Sequence, residues 1–138
     1  MAHMEFFIVS EEVSVDQQTN RLSLFNVIEQ ITAADFPLML LSGAAVSLWV
    51  AEQGDDQLDF QCTLRIIAPG SEHRDFPSNF TFQSRRHRVI HRIHGVPINE
   101  PGLLRFEILL NGQYQASHEV DVVRIDLANL IPPVQHQN

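Results

Sequence analysis

Apolar and polar residues alternate over short stretches of this chain, and almost nowhere do they recur at the three-and-four spacing of an amphipathic helix. Leu58 to Ile67 shows the pattern most clearly. Leu58, Phe60, Cys62, Leu64 and Ile66 oppose Asp59, Gln61, Thr63 and Arg65, as expected of a strand with one wet face. Met4 to Val13 begins with the apolar block Phe6 to Val9 and leaves through Ser10, Glu11 and Glu12, which predicts a first strand. Arg21 to Ile31 predicts a second, but its apolar phase breaks between Leu24 and Val27, so it carries a bulge or is buried on both faces near its middle. Asp35-Phe36-Pro37 forces an extended connection. Ala44 to Glu52 is the third strand, with Val46, Leu48 and Val50 on one face and Ser47, Trp49 and Ala51 on the other. After the turn Gly54 to Asp56 and the alternating strand comes a polar loop, Ser71 to Ser78, then short strands at Asn79 to Gln83 and Arg88 to His94.

The last third is the least ambiguous. A loop from Gly95 to Gly102, punctuated by Pro97 and Pro101, feeds two alternating strands around Asn111-Gly112, the signature of a β-hairpin. Asn-Gly usually makes a two-residue turn, which here sets Phe106, Ile108 and Leu110 opposite polar residues. A three-residue loop, Leu110 to Gly112, pairs Leu109 with Gln113 and Ile108 with Tyr114, and gathers Tyr114, Ala116, Val120 and Val122 on the apolar face. That register is the one expected.

About eight short strands and no clear helix predict an all-β protein, a two-sheet antiparallel sandwich, Ig-like or C2-like in general architecture. A chain of 138 residues suits one domain, with residues 4–124 forming the sandwich. Residues 125–138 are a tail, with a helical turn at Asp126 to Leu130 and disorder towards the end. Met1 to Met4 has the look of an added leader and is set aside.

Several of these positions together resemble a small bacterial β-sandwich family of unknown function. They are Asn20 to Leu24, Phe36-Pro37, Ala68 to Gly70, Gly95 to Pro97, and Pro101-Gly102 leading to Phe106. The resemblance spans roughly Phe6 to Val123. It rests on turn and packing positions, so it implies a fold and carries over no catalytic or ligand residue.

Composition narrows the function classes. One cysteine, Cys62, permits no internal disulfide and suits a reducing, cytoplasmic setting. In phase with Phe60 and Leu64, it is expected to be an inert core thiol. No apolar run is long enough to span a bilayer, and no secretory leader is visible. The net charge of −8 disfavours nucleic acid and anionic membrane as partners. Yet every basic residue is Arg, and Arg85, Arg86, Arg88 and Arg92 fall between Arg85 and His94, where there is no acid. Guanidinium groups grip carboxylates and phosphates in a fork, so these four are the candidate anion- or partner-binding residues. Arg86, Arg88 and Arg92 share one strand parity. The plainer alternative is internal pairing with acids on neighbouring strands.

Other constellations carry less. His87, His91 and His94 cannot chelate one ion from a single strand, where residues four apart lie about 13 Å from one another. His91 would need a partner such as His118 to hold a metal, and is better placed as a core or rim histidine in phase with Val89 and Ile93. Glu52, Asp55, Asp56 and Asp59 make an acidic turn of the kind that binds calcium when a second acidic loop, from Asp16 or Glu100, joins it. No nucleophile elbow, P-loop or zinc-protease motif is present, which leaves His91, His118 and Asp121 as the only leads for an enzyme. Sugar binding would require Trp49 to face solvent. Leu38, Met39, Leu40 and Leu41, together with Leu127, Leu130 and Ile131, offer an apolar surface for self-association.

The expectation is therefore a non-enzymatic, cytoplasmic sandwich module that needs no cofactor. It forms a homo-oligomer and binds a protein or an anionic ligand. The rival is a small metal-dependent or hydrolytic enzyme with a histidine-based site.

Overall fold

In the computed structural model, which describes residues 1–126, the alternating stretches become β1 (His3–Val15), β2 (Leu22–Val27), β3 (Gln30–Ala33), β4 (Leu38–Val50), β5 (Phe60–Ile67), β6 (Arg74–Phe80), β7 (Arg86–Ile98), β8 (Gly102–Leu110) and β9 (Gln113–Arg124). These make two sheets, ordered β2-β1-β4-β7 and β3-β9-β8-β5-β6. Val9, Ala45 and Trp49 from the first sheet pack with Phe60, Leu64, Phe106 and Val120 from the second in one core. Residues beyond Asp126 lie outside the described part, and with them the apolar group Leu127, Leu130 and Ile131 and the end of the tail.

Among the described residues, nine strands replace the expected eight because the stretch from Arg21 to Ile31 divides. β2 pairs with β1, and β3 runs parallel to β9 in the other sheet. The phase break marks this crossing. Asn26 takes a left-handed conformation, φ 58°. Buried Ile28 then ties the two sheets together: its N–H donates to the Val9 carbonyl at 3.0 Å, and its own carbonyl accepts from His118 Nε2 at 2.6 Å.

The hairpin register is corrected. Leu110 pairs with Gln113 across a two-residue turn in which Asn111 and Gly112 have φ 50° and 82°, the left-handed pair such a turn requires. The burial demand is met differently, by a bulge. Leu109 opposes Tyr114 and Ile108 opposes Ala116, leaving Gln115 as the extra residue. That inserted residue restores the phase, so Val120 and Val122 are buried while Tyr114, expected on the apolar face, is 53% exposed.

Other boundaries also move. β4 begins at Leu38, so the run that precedes the expected third strand is itself strand, with Leu38 and Leu40 against the core and Met39 and Leu41 exposed. β6 occupies part of the expected polar loop and ends at Phe80. β7 runs on through Gly95, φ 71°, where its inward phase changes: Ile93 and Val96 are both buried. At the other end, Ala2 is buried and His3 already pairs with Val50, so the segment set aside as a leader takes part in the fold.

Candidate functional site

β6 and β7 are each the last strand of their sheet. Between them the sandwich stays open, and an apolar cleft of about 220 Å³ enters the gap. Leu64, Ile66 and Phe76 line it from the second sheet, Ile93 and Val96 from the first. Its polar lining is basic only: Arg74 on β6, and Arg92 and His94 on β7. A smaller recess shares Ile66, Arg74 and Val96 with it and ends at Ser71 and Glu72. The Arg74 guanidinium lies over the Phe76 ring, 5.3 Å from its centroid, a contact that fixes the cation without neutralising it.

β7 is continuous from Arg86, so the expected shared parity of Arg86, Arg88 and Arg92 has a strand to act on. The three are nonetheless used differently. Arg86 grips Glu5, Nε to Oε1 at 2.8 Å and Nη2 to Oε2 at 3.4 Å, and holds that carboxyl below its ordinary value. Arg88 donates to the side chain and carbonyl of Asn20, at 3.3 and 3.1 Å. Arg85 lies near enough to Glu5 to favour its ionised form. Arg92 is exposed and, among the described residues, makes no hydrogen bond or ion pair. It alone of the four lines the cleft. Two arginines on other strands are matched to acids, Arg65 to Asp75 across β5 and β6, and Arg105 to Glu107 and Glu119.

The histidines do not converge. His91 is 8% exposed on the inner side of β7, and neither ring nitrogen is within hydrogen-bonding geometry of a partner. Burial pushes its pKa down, opposed by the nearby carbonyls of Cys62 and Phe76. His118 stands in the other sheet, bonded to Ile28. His87 stacks on Phe80, ring centroids 4.5 Å apart. Asp121 is exposed on β9. Among the described residues, no group of three or more His, Cys, Asp or Glu side chains is placed to hold a metal ion.

Within the acidic turn, Asp55 is buried and accepts the Glu52 N–H at 2.9 Å, while Glu52 meets the Met1 amino group and His3. Asp16 is occupied by the Gln18 and Thr19 amides of its own turn. Cys62 is fully buried, and desolvation pushes its thiol up to about 11, so it stays protonated. Trp49 is 0% exposed and donates to Ser47 Oγ at 2.9 Å, so it presents no face to a sugar.

The sequence reading missed Arg74, Phe76 and His94 as cleft residues. Arg74 and Phe76 fell in a segment taken for polar loop. Their only signal was the alternation His73, Arg74, Asp75, Phe76, too short and too interrupted by Pro77 to stand out.

Fold and cleft define an all-β protein of two facing sheets with a basic-rimmed opening at one edge. The chain belongs to a family of unknown function, DUF6941, which it matches over residues 5–123. Comparison with curated proteins finds no match. Among the described residues, no helix is long and apolar enough to cross a membrane.

Proposed function

We propose that this protein is a non-enzymatic binding module, Ig-like or C2-like in general architecture, that takes an anionic ligand or an acidic protein segment at the open edge between β6 and β7. The observation carrying this reading is Arg92, an exposed guanidinium that has no partner among the described residues, beside an apolar cleft whose polar lining there is basic only. In an acidic protein such a group is a place where negative charge is welcome. A bacterial, cytoplasmic setting is part of the proposal, supported by the family resemblance and by a single, free, buried Cys62. Titration of isotope-labelled protein with inorganic phosphate, a polyglutamate peptide and octanoate tests it. Amide shifts clustered on β6 and β7 with at least one anion support the reading. No such cluster with any of them refutes it. Stoichiometric zinc, manganese or iron in the purified protein would favour the histidine-based enzyme instead.

Self-association is the second part of the proposal. Met39 and Leu41 are 50% and 75% exposed on β4, an apolar pair that a second copy can cover. Sedimentation at micromolar concentration should show a dimer or larger species, and Leu41→Glu should return it to monomer.

A further inference from the structure

We infer that the cleft between β6 and β7 binds a single-chain anionic amphiphile, its hydrocarbon chain inserted between the sheets and its carboxylate or phosphate head held by Arg92 and Arg74. This rests on the open-edge reading above and names its ligand class.

Two independent features of the cleft select such a molecule. The interior is formed by Leu64, Ile66, Phe76, Ile93 and Val96, and at about 220 Å³ it is far larger than one water requires. A space lined this way has little to offer water or a polar ligand, and gains by taking up hydrocarbon. The polar lining is the second feature. Arg74 and Arg92 approach from opposite sheets, neither in an ion pair among the described residues, and His94 adds a third basic group. Two unpaired guanidinium groups beside an apolar slot complement an anion joined to an apolar chain. A neutral lipid would leave the arginines unused, and a small anion would leave the slot unfilled. Glu72 lines the adjoining recess, and this sets the end away from which the head should lie.

Calorimetric titration of the full chain with octanoate, octyl phosphate, 1-octanol and acetate tests this. Octanoate or octyl phosphate should bind one per chain and shift the amides of Arg74, Phe76, Ile93 and Val96, with the tighter of the two identifying the head group. Octanol and acetate should each bind at least about tenfold more weakly. Arg92→Gln should weaken the anionic amphiphile about tenfold or more while leaving the melting temperature unchanged, because Arg92 makes no hydrogen bond or ion pair among the described residues. Arg74→Gln supplies a second, independent reading of the same site. Octanol binding as tightly as octanoate, acetate doing so, or Arg92→Gln without effect would each overturn the assignment. Polyglutamate shifting β7 while no amphiphile does so would overturn it too, yet leave the open edge as an anion site.

Discussion

Arg88 is hydrogen-bonded to Asn20 across the outer face of the first sheet. On β7 Arg88 lies opposite Leu48, and Leu48 lies opposite Phe6 of β1. Had β1 run straight, the turn containing Asn20 would stand roughly 30 Å beyond Phe6, ten residues along the strand. The two bonds therefore require the β1–β2 hairpin to fold back over its own sheet. β1 changes partner at Ser10, which pairs with Ala44 of β4 on one side and Val27 of β2 on the other, so the arm beyond it is free of β4. The folded arm explains why Ala44 and Val46, whose side chains point away from the core, are as deeply buried as the core itself.

Arg88→Gln should release this arm. We expect a loss of about 1 kcal/mol in urea unfolding and faster hydrogen exchange from Asp16 to Arg21, with the core strands still protected. Asn20 has φ 61°, so Asn20→Gly keeps the backbone and tests the side-chain bond alone.

Trp49, Ser47 and Cys62 form a buried polar chain, with the indole donating to Ser47 Oγ at 2.9 Å and Cys62 Sγ 3.8 Å from the same oxygen. Ser47→Ala leaves the indole N–H without an acceptor and should cost about 1–3 kcal/mol. In the folded parent, Cys62 should resist alkylation at pH 8 and react only on unfolding, because its thiol is buried and protonated.

Acid should destabilise the protein in two stages. His91 and His87 are both held below the ordinary value of 6.5 by burial, so below that pH the unfolded chain takes up protons that the native one does not. Stability is thus full above about pH 6.5, falls as pH drops towards the depressed native values, and levels off beneath them. Carboxyls held low by hydrogen bonds, Glu5 by Arg86 and Asp75 by Arg65 most directly, add a later loss that begins near the unfolded carboxylate range. His91→Leu should shrink the first stage to the share carried by His87 and leave the second, as followed by denaturation midpoints across pH.

Asn111 does more than turn the hairpin. Its side-chain oxygen accepts the Gln61 N–H at 2.9 Å and its own N–H donates to the Gln61 carbonyl at 2.8 Å. Asn111→Gly keeps the left-handed conformation and loses only the side-chain bond, whereas Asn111→Ala loses both. Alanine should therefore be the more destabilising, by about 1 kcal/mol, as read by thermal unfolding of the two variants side by side.

The hairpin shows how far sequence carries. Asn111-Gly112 announced the turn, and the apolar positions announced which residues had to face inward. The choice between a longer loop and a bulge lay with the neighbouring strand, because Gln61 of β5 grips Asn111 and so holds the two-residue turn, pushing the extra residue to Gln115. Likewise the phase break near Val27 was visible, but nothing local distinguishes a bulged strand from one that leaves its sheet. That depended on β9 offering an open edge to Gln30 through Ala33.

Local pattern by itself determined that this chain is all-β, where most strands lie and that Arg85 to Arg92 concentrates positive charge, because alternation, turn residues and charge are properties of neighbours in sequence. Which of those arginines is spent internally was decided only by the fold. Glu5 lies 81 residues from Arg86, and Asn20 lies 68 residues from Arg88. The cleft is likewise a product of two strand edges that meet in no local pattern: Arg74 and Phe76 come from one sheet, Arg92 and Ile93 from the other. A site made where two sheets fail to close on each other has no signature along the chain, since its existence depends on what the strands leave unpaired.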